Sequence, residues 1–259
     1  MDPPQINDPL AALLSIDPGF TSTKACLRFE GQSVPREQIG EVYVIQFPTN
    51  GPLKDMVEFP TTVTYTDYDE WAVGKAHGPH TAGIILNGIK SGLLGEGHEL
   101  YGPQLHDRLG EINDIRRGKN LPEVNEVDVL EKIFRYAIDV ALDFILTKLS
   151  WVVDIATSNS GVQDRKKAKE TIESIPRDCV LTYPVRDSES LRLQMINACT
   201  AVGFRTFYLV AESVAAGCYA FVHGNLGLLE KQSFIVCDFG GATIVRMITG
   251  VLTISQTDI

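Results

Sequence analysis

Two apolar segments far apart in the chain each run into an aspartate, a spacer and a glycine. The first is Leu13-Leu14-Ser15-Ile16-Asp17-Pro18-Gly19-Phe20-Thr21, and the second is Phe234-Ile235-Val236-Cys237-Asp238-Phe239-Gly240-Gly241-Ala242-Thr243, one residue longer. Each is followed by apolar or β-branched residues that can return as the second strand of a hairpin. A glycine-bearing turn lets backbone N–H groups converge on one point, because glycine tolerates positive φ and has no Cβ to block approach. Such a hollow suits a phosphate. An aspartate closing the strand before it can hold Mg²⁺ through water, since this ion favours one or two carboxylates together with phosphate oxygens. Threonine hydroxyls can donate to the same oxygens. Either turn alone is also an ordinary hairpin. The doubling carries the reading: two such loops face to face would clamp a polyphosphate from both sides.

The segments between these loops set the fold class. Leu10 to Ile16, Thr23 to Phe29 and Glu41 to Phe47 read as three antiparallel strands, the last alternating through Val42, Val44 and Phe47. Phe59 to Tyr65 reads as a further strand. Ser91 to Val124 holds six glycines and two prolines with little periodicity, and reads as an irregular insertion. Asp128 to Leu149 is the clearest helix. Its Asp128-x-x-Glu131 spacing suggests a capping box, and Leu130, Ile133, Phe134, Ala137, Ile138, Ala141, Leu142, Ile145 and Leu149 recur at 3/4 spacing. Gly161 to Glu173 reads as an exposed helix. Strands at Arg177–Tyr183, Arg205–Val210 and Ser233–Cys237 then alternate with helices at Asp187–Val202 and Glu212–His223. That alternation implies parallel pairing and an α/β layer architecture.

Composition narrows the function classes. Lys+Arg total 23 against 33 Asp+Glu, a formal charge of −10. A general nucleic-acid or anionic-membrane surface needs clustered cations, so no nucleic acid and no membrane is expected as partner. The five cysteines, Cys26, Cys179, Cys199, Cys218 and Cys237, form no C-x-x-C and sit among apolar neighbours. They read as buried reduced thiols of a reducing compartment, and the expected location is cytoplasmic. His77 and His80 form an H-x-x-H without a carboxylate or thiol partner, a poor metal site. Neither a Walker A segment nor a G-x-G-x-x-G is present.

The chain resembles the nucleotide-binding domain of the DnaK-type 70-kilodalton heat-shock proteins, in the actin-like ATPase superfamily, and within them a divergent heat shock 70 kDa protein 12-like branch. Four stretches in the family's order carry the likeness: Ser15 to Thr21, Asp178 to Ala201 with Leu181-Thr182-Tyr183-Pro184, Val210 to Gly217, and Val236 to Thr243. The resemblance implies ATP and Mg²⁺ as cofactors. Asp17 and Asp238 would approach Mg²⁺ through water. Gly19, Phe20, Thr21, Gly240, Gly241, Ala242 and Thr243 would line the phosphates. Glu212 would place the attacking or metal-bound water. Lys90, after Val73-Gly74-Lys75-Ala76, would offset charge on the transferred phosphoryl group. Lys90, Glu212 and Asp238 are thus the expected catalytic residues.

Three positions depart from the family's pattern. Phe20 stands where a threonine is usual, Ala242 replaces a third glycine, and Val245 stands where an aspartate is frequent. Losing one hydrogen bond to a charged group is worth about 1.5–3 kcal/mol. The expectation is therefore ATP binding with weak or absent hydrolysis in a chaperone-like protein, with client or co-chaperone proteins as further partners. The alternatives are a non-enzymatic pseudo-ATPase and a small-molecule kinase of the same superfamily. The expected fold is an α/β, actin-like ATPase (ribonuclease H-like) lobe, a mixed sheet flanked by helices, with an incomplete second lobe. Its expected parts are a disordered tail at 1–9, a first-lobe core at 10–47 and 125–230, an inserted small subdomain at 48–124, and the first hairpin of a second lobe at 231–259. On this reading the chain is truncated.

Overall fold

The computed structural model describes residues 10–19, 21–48, 56–66, 68–74, 83–90, 102–158, 165–183, 189–223, 234–239 and 244–249, the last two as backbone. Strands β1 (Ala11–Pro18) and β2 (Ser22–Glu30) form an antiparallel hairpin across the first Asp-x-Gly turn. A longer connection holding a 3-10 turn at Arg36–Gln38 leads to β3 (Tyr43–Val44). Strand β4 (Glu58–Pro60) pairs with the turn end of β2. Strands β5 (Val63–Tyr65), β6 (Trp71–Val73) and β7 (Ile84–Leu86) make a separate antiparallel sheet in the order β6-β5-β7. Further along the described residues come helices α1 (Gly102–Gly118), α2 (Glu126–Lys148), α3 (Ser150–Ser158) and α4 (Arg165–Glu173). Then come β8 (Arg177–Tyr183), α5 (Glu189–Ala201), β9 (Thr206–Ala211), α6 (Glu212–His223), β10 (Phe234–Phe239) and β11 (Ile244–Thr249).

The main sheet has the order β3-β2-β1-β8-β9, with β4 also on β2. Strand β1 is antiparallel to β2 but parallel to β8, and β8 is parallel to β9. This is the expected fold class, a mixed sheet flanked by helices. Alternation decides which face is covered. Ala12, Leu14, Ile16, Ala25, Leu27, Phe29, Cys179 and Leu181 are buried against the helices, while the residues between them, apart from Ala11 and Thr23, are half-buried or exposed. Helix α2 supplies the opposing stripe through Ile133, Phe134, Ala137, Ile138, Ala141 and Ile145. Full burial of the isoleucine and phenylalanine side chains stabilises by roughly 1.5–3 kcal/mol each.

Several local readings need correction. Helix α2 starts two residues before Asp128, because Asn125 is the N-cap. Its side chain accepts from the N–H groups of Val127 and Asp128, and the Asp128 carboxylate accepts from the Asn125 N–H. The third strand puts Tyr43, Ile45 and Phe47 inward and leaves Val42 and Val44 exposed. The cause is register: Tyr43 pairs with buried Leu27, and paired residues share a face. The stretch read as one strand from Phe59 to Tyr65 divides into β4 and β5, which belong to different sheets.

The glycine-rich stretch 91–124 is not irregular throughout, since it contains the 17-residue helix α1. Leu105, Leu109 and Ile112 form a buried stripe at 4/3 spacing, and Gly110 faces open space, so its cost is only propensity. Arg116, the next residue of that stripe, is buried too. It donates to the Pro122 carbonyl at 2.7 Å and pairs with Asp69 in the β5–β6 turn. The thiols also divide: Cys179 and Cys199 are buried, whereas Cys26 and Cys218 are partly exposed. Residues 1–9, His77 and His80 lie outside the described residues. Among the described residues no helix is long and apolar enough to cross a membrane.

Candidate functional site

Three parallel strands end side by side. Pairing of Ile16 with Leu181, Thr182 with Val210 and Tyr183 with Ala211 brings the carboxyl ends of β1, β8 and β9 level. In open α/β sheets, ligands bind beyond these ends, where no strand continues and helix N-termini begin. Asp17 lies at the end of β1, Thr182 near the end of β8, and Glu212 opens α6 directly after β9. A carboxylate in a first helical turn is favoured by the exposed N–H groups there.

Ile16 and Leu181 are fully buried on the helix-covered face, so Asp17 and Thr182 share the opposite face. The Thr182 hydroxyl donates to Asp17 Oδ1 at 2.5 Å. The Gly19 N–H turns back onto the Asp17 carbonyl at 2.9 Å, which closes the strand into a tight bend. A Cβ at Gly19 would stand 2.3 Å from the Ser22 carbonyl oxygen, closer than real contacts allow. The glycine is therefore required by the turn itself.

The inserted segment reaches this edge at two points. The Thr61 N–H donates to the Thr21 carbonyl at 3.0 Å, and the Thr61 and Thr23 hydroxyls bond each other at 2.8 Å in full burial. Lys90 follows Ile89, which is fully buried, and its ammonium pairs with the Glu212 carboxylate. Both side chains are 15% exposed, so the pair is largely withdrawn from water. Lys90 also lines a small apolar cavity together with Pro18 and Thr61, which places it beside the first turn.

The structure thus gathers Asp17, Gly19, Lys90 and Glu212 at one edge of the sheet. Thr182, from the Leu181-Thr182-Tyr183-Pro184 stretch, and Thr61 join them, and neither was given a site role from the sequence. Thr182 had a signal: it follows an apolar strand with the same offset from Leu181 that Asp17 has from Ile16. Thr21 enters through its backbone carbonyl. Asp238 is the fifth residue of β10 and pairs with Val245 across an antiparallel β10–β11 hairpin, with α6 lying against β10. Phe20, Gly240, Gly241, Ala242 and Thr243 lie outside the described residues.

A hydrated Mg²⁺ is an ion that a single carboxylate such as Asp17 could hold. Among the described residues no group of three or more His, Cys, Asp or Glu side chains could hold an ion. Asp17 instead offers one carboxylate beside a glycine bend, the arrangement of an ion held through its waters and by phosphate oxygens.

No family model matches the chain, and no curated protein matches it. Among solved structures it is similar to MreB 5 of Spiroplasma citri bound to AMPPNP, at 13% identity and a TM-score of 0.45, covering 92% of this chain and 48% of that one. It is likewise similar to MreB5 of Spiroplasma citri bound to ADP, at 13% identity and a TM-score of 0.42, covering 93% of this chain and 49% of that one. The chain spans about half the length of these structures.

Proposed function

We propose that the chain is an actin-like lobe that binds ATP with Mg²⁺ at the carboxyl ends of β1, β8 and β9. The observation that carries this is the Lys90–Glu212 pair, set beside the Asp17 bend where three parallel strands end. A lysine, a carboxylate at a helix start and a second carboxylate on a glycine turn are the groups that phosphoryl chemistry needs at one place. Asp17 holds Mg²⁺ through water, and bound Mg²⁺ would neutralise charge on the phosphates. Lys90 offsets phosphoryl charge, and Glu212 orients a water. Asp238 is the second carboxylate that the resemblance assigns to the metal. The wider setting is a chaperone-like protein of the 70-kilodalton heat-shock type, cytoplasmic, working on client or co-chaperone proteins. Hydrolysis is weak or absent, for the reasons attached to Phe20, Ala242 and Val245.

A second reading has its own support. Lys90 and Glu212 satisfy each other, so these two charges are neutralised without any ligand. A pseudo-ATPase that keeps the fold and has lost the nucleotide would look the same here. Thermal unfolding with Mg²⁺ alone, and with Mg²⁺ plus ATP, separates the two. A ligand at a hundred times its Kd stabilises by about 2.7 kcal/mol, or about 5–10 °C for a chain of this size. The nucleotide reading expects a rise of that order. An unchanged midpoint at millimolar ATP supports the pseudo-ATPase.

A further inference from the structure

We propose that Thr182 is a positioning residue for this site, holding the Asp17 carboxylate in the one orientation that serves a water-bound Mg²⁺. The inference rests on the nucleotide reading and deepens it. The Thr182 hydroxyl reaches across from β8 to the neighbouring strand and donates to Asp17 Oδ1 at 2.5 Å. That length belongs to a hydrogen bond onto a charged oxygen. With Oδ1 accepting that bond, rotation of the carboxylate is restrained, and Oδ2 would be free to accept from a metal-bound water. Binding constellations are held within about 0.5 Å and 10–20° of their working geometry by supporting hydrogen bonds of this kind.

The position argues for this role over a purely structural one. Thr182 is half-buried on the sheet face opposite the helix-packed core, whereas its neighbour Leu181 is fully buried within that core. Replacing the hydroxyl by a methyl group therefore opens no core cavity and removes one donor. Parallel pairing of Ile16 with Leu181 fixes the two strands in register whatever residue stands at 182.

The test is equilibrium ADP binding to the full chain, with Mg²⁺ and with EDTA, for the parent and for T182V, T182S and T182A. Circular dichroism serves as the check on folding. T182V is expected to lose about tenfold of the affinity measured with Mg²⁺ and none of that measured with EDTA. T182S keeps the hydroxyl and is expected to stay within about twofold of the parent, while T182A follows T182V. Equal losses with and without Mg²⁺, or unchanged affinity in T182V, overturn the positioning role. So does unfolding of both hydroxyl-free variants, which would make the residue structural. A parent chain that binds no ADP under either condition fails before any variant is compared, and it removes the nucleotide reading together with this inference.

Discussion

Gly19 shows how a single atom constrains the site. An added Cβ would lie 2.3 Å from the Ser22 carbonyl oxygen, so the bend must open before any side chain fits. G19A is expected to destabilise by about 1–3 kcal/mol in denaturant titration, because the β1–β2 hairpin must shift at its turn. Cys179 carries a different consequence. Burial pushes its thiol far above the ordinary range, and the adjacent Cys199 sulfur adds to the effect. A group whose folded pKa is raised contributes stability fully present below its unfolded value, about 8.5 for cysteine, and lost as pH rises past it. Stability of the parent should therefore decline above about pH 8.5, and C179A should show a shallower decline between pH 8.5 and 10. Native protein should also leave Cys179 unalkylated at pH 8, since the attacking species is the thiolate.

Among the elements, β8 and β9 are tied at their starts by Arg205, which donates twice to Asp178 at 2.9 and 2.7 Å. Chiefly through that bond, the Asp178 carboxyl is held below the usual carboxylate range. A depressed pKa gives stability that is present above about pH 3.9 and lost as pH falls. R205M should cost about 0.5–1 kcal/mol at pH 7, discounted because the arginine is over a third exposed. The difference from the parent should shrink as pH falls below about 3.9 in acid unfolding.

What could be read from the sequence followed from which signals were strong. The long apolar stripe of α2, the β8-α5-β9 alternation and the first hairpin were readable because one period dominates each. Helix α1 was not, because its glycines masked a three-residue stripe. The inward face of β3 was not, because pairing with β2, rather than apolar count, decides it. Lys90 and Glu212 are far apart in the chain, and only a family likeness suggested that they act together. Thr182 was legible only by its offset from an apolar strand, and its importance arises from the strand beside it.

At the level of the whole molecule, the inserted segment meets the main sheet through the β4–β2 ladder, the Phe47–Met56 bridge and the Thr23–Thr61 bond. The aromatic cluster of Phe47, Phe59 and Tyr136 and the Lys90–Glu212 pair add to them. Losing either partner of that pair leaves a charge in a site mostly shut off from water. K90M and E212L should each cost about 1–3 kcal/mol, while the double variant should cost less than their sum by at least about 1 kcal/mol. An additive result would mean that the pair does not couple the two parts.

The central claim is that Asp17, Lys90 and Glu212 surround a polyphosphate. Calorimetric titration of ATP into the parent chain and into D17A, each with and without Mg²⁺, tests it most directly. The account predicts saturable binding by the parent that requires Mg²⁺ and is weakened at least about tenfold in D17A. Absence of binding heat up to millimolar ATP, or binding indifferent to both Mg²⁺ and Asp17, would contradict it.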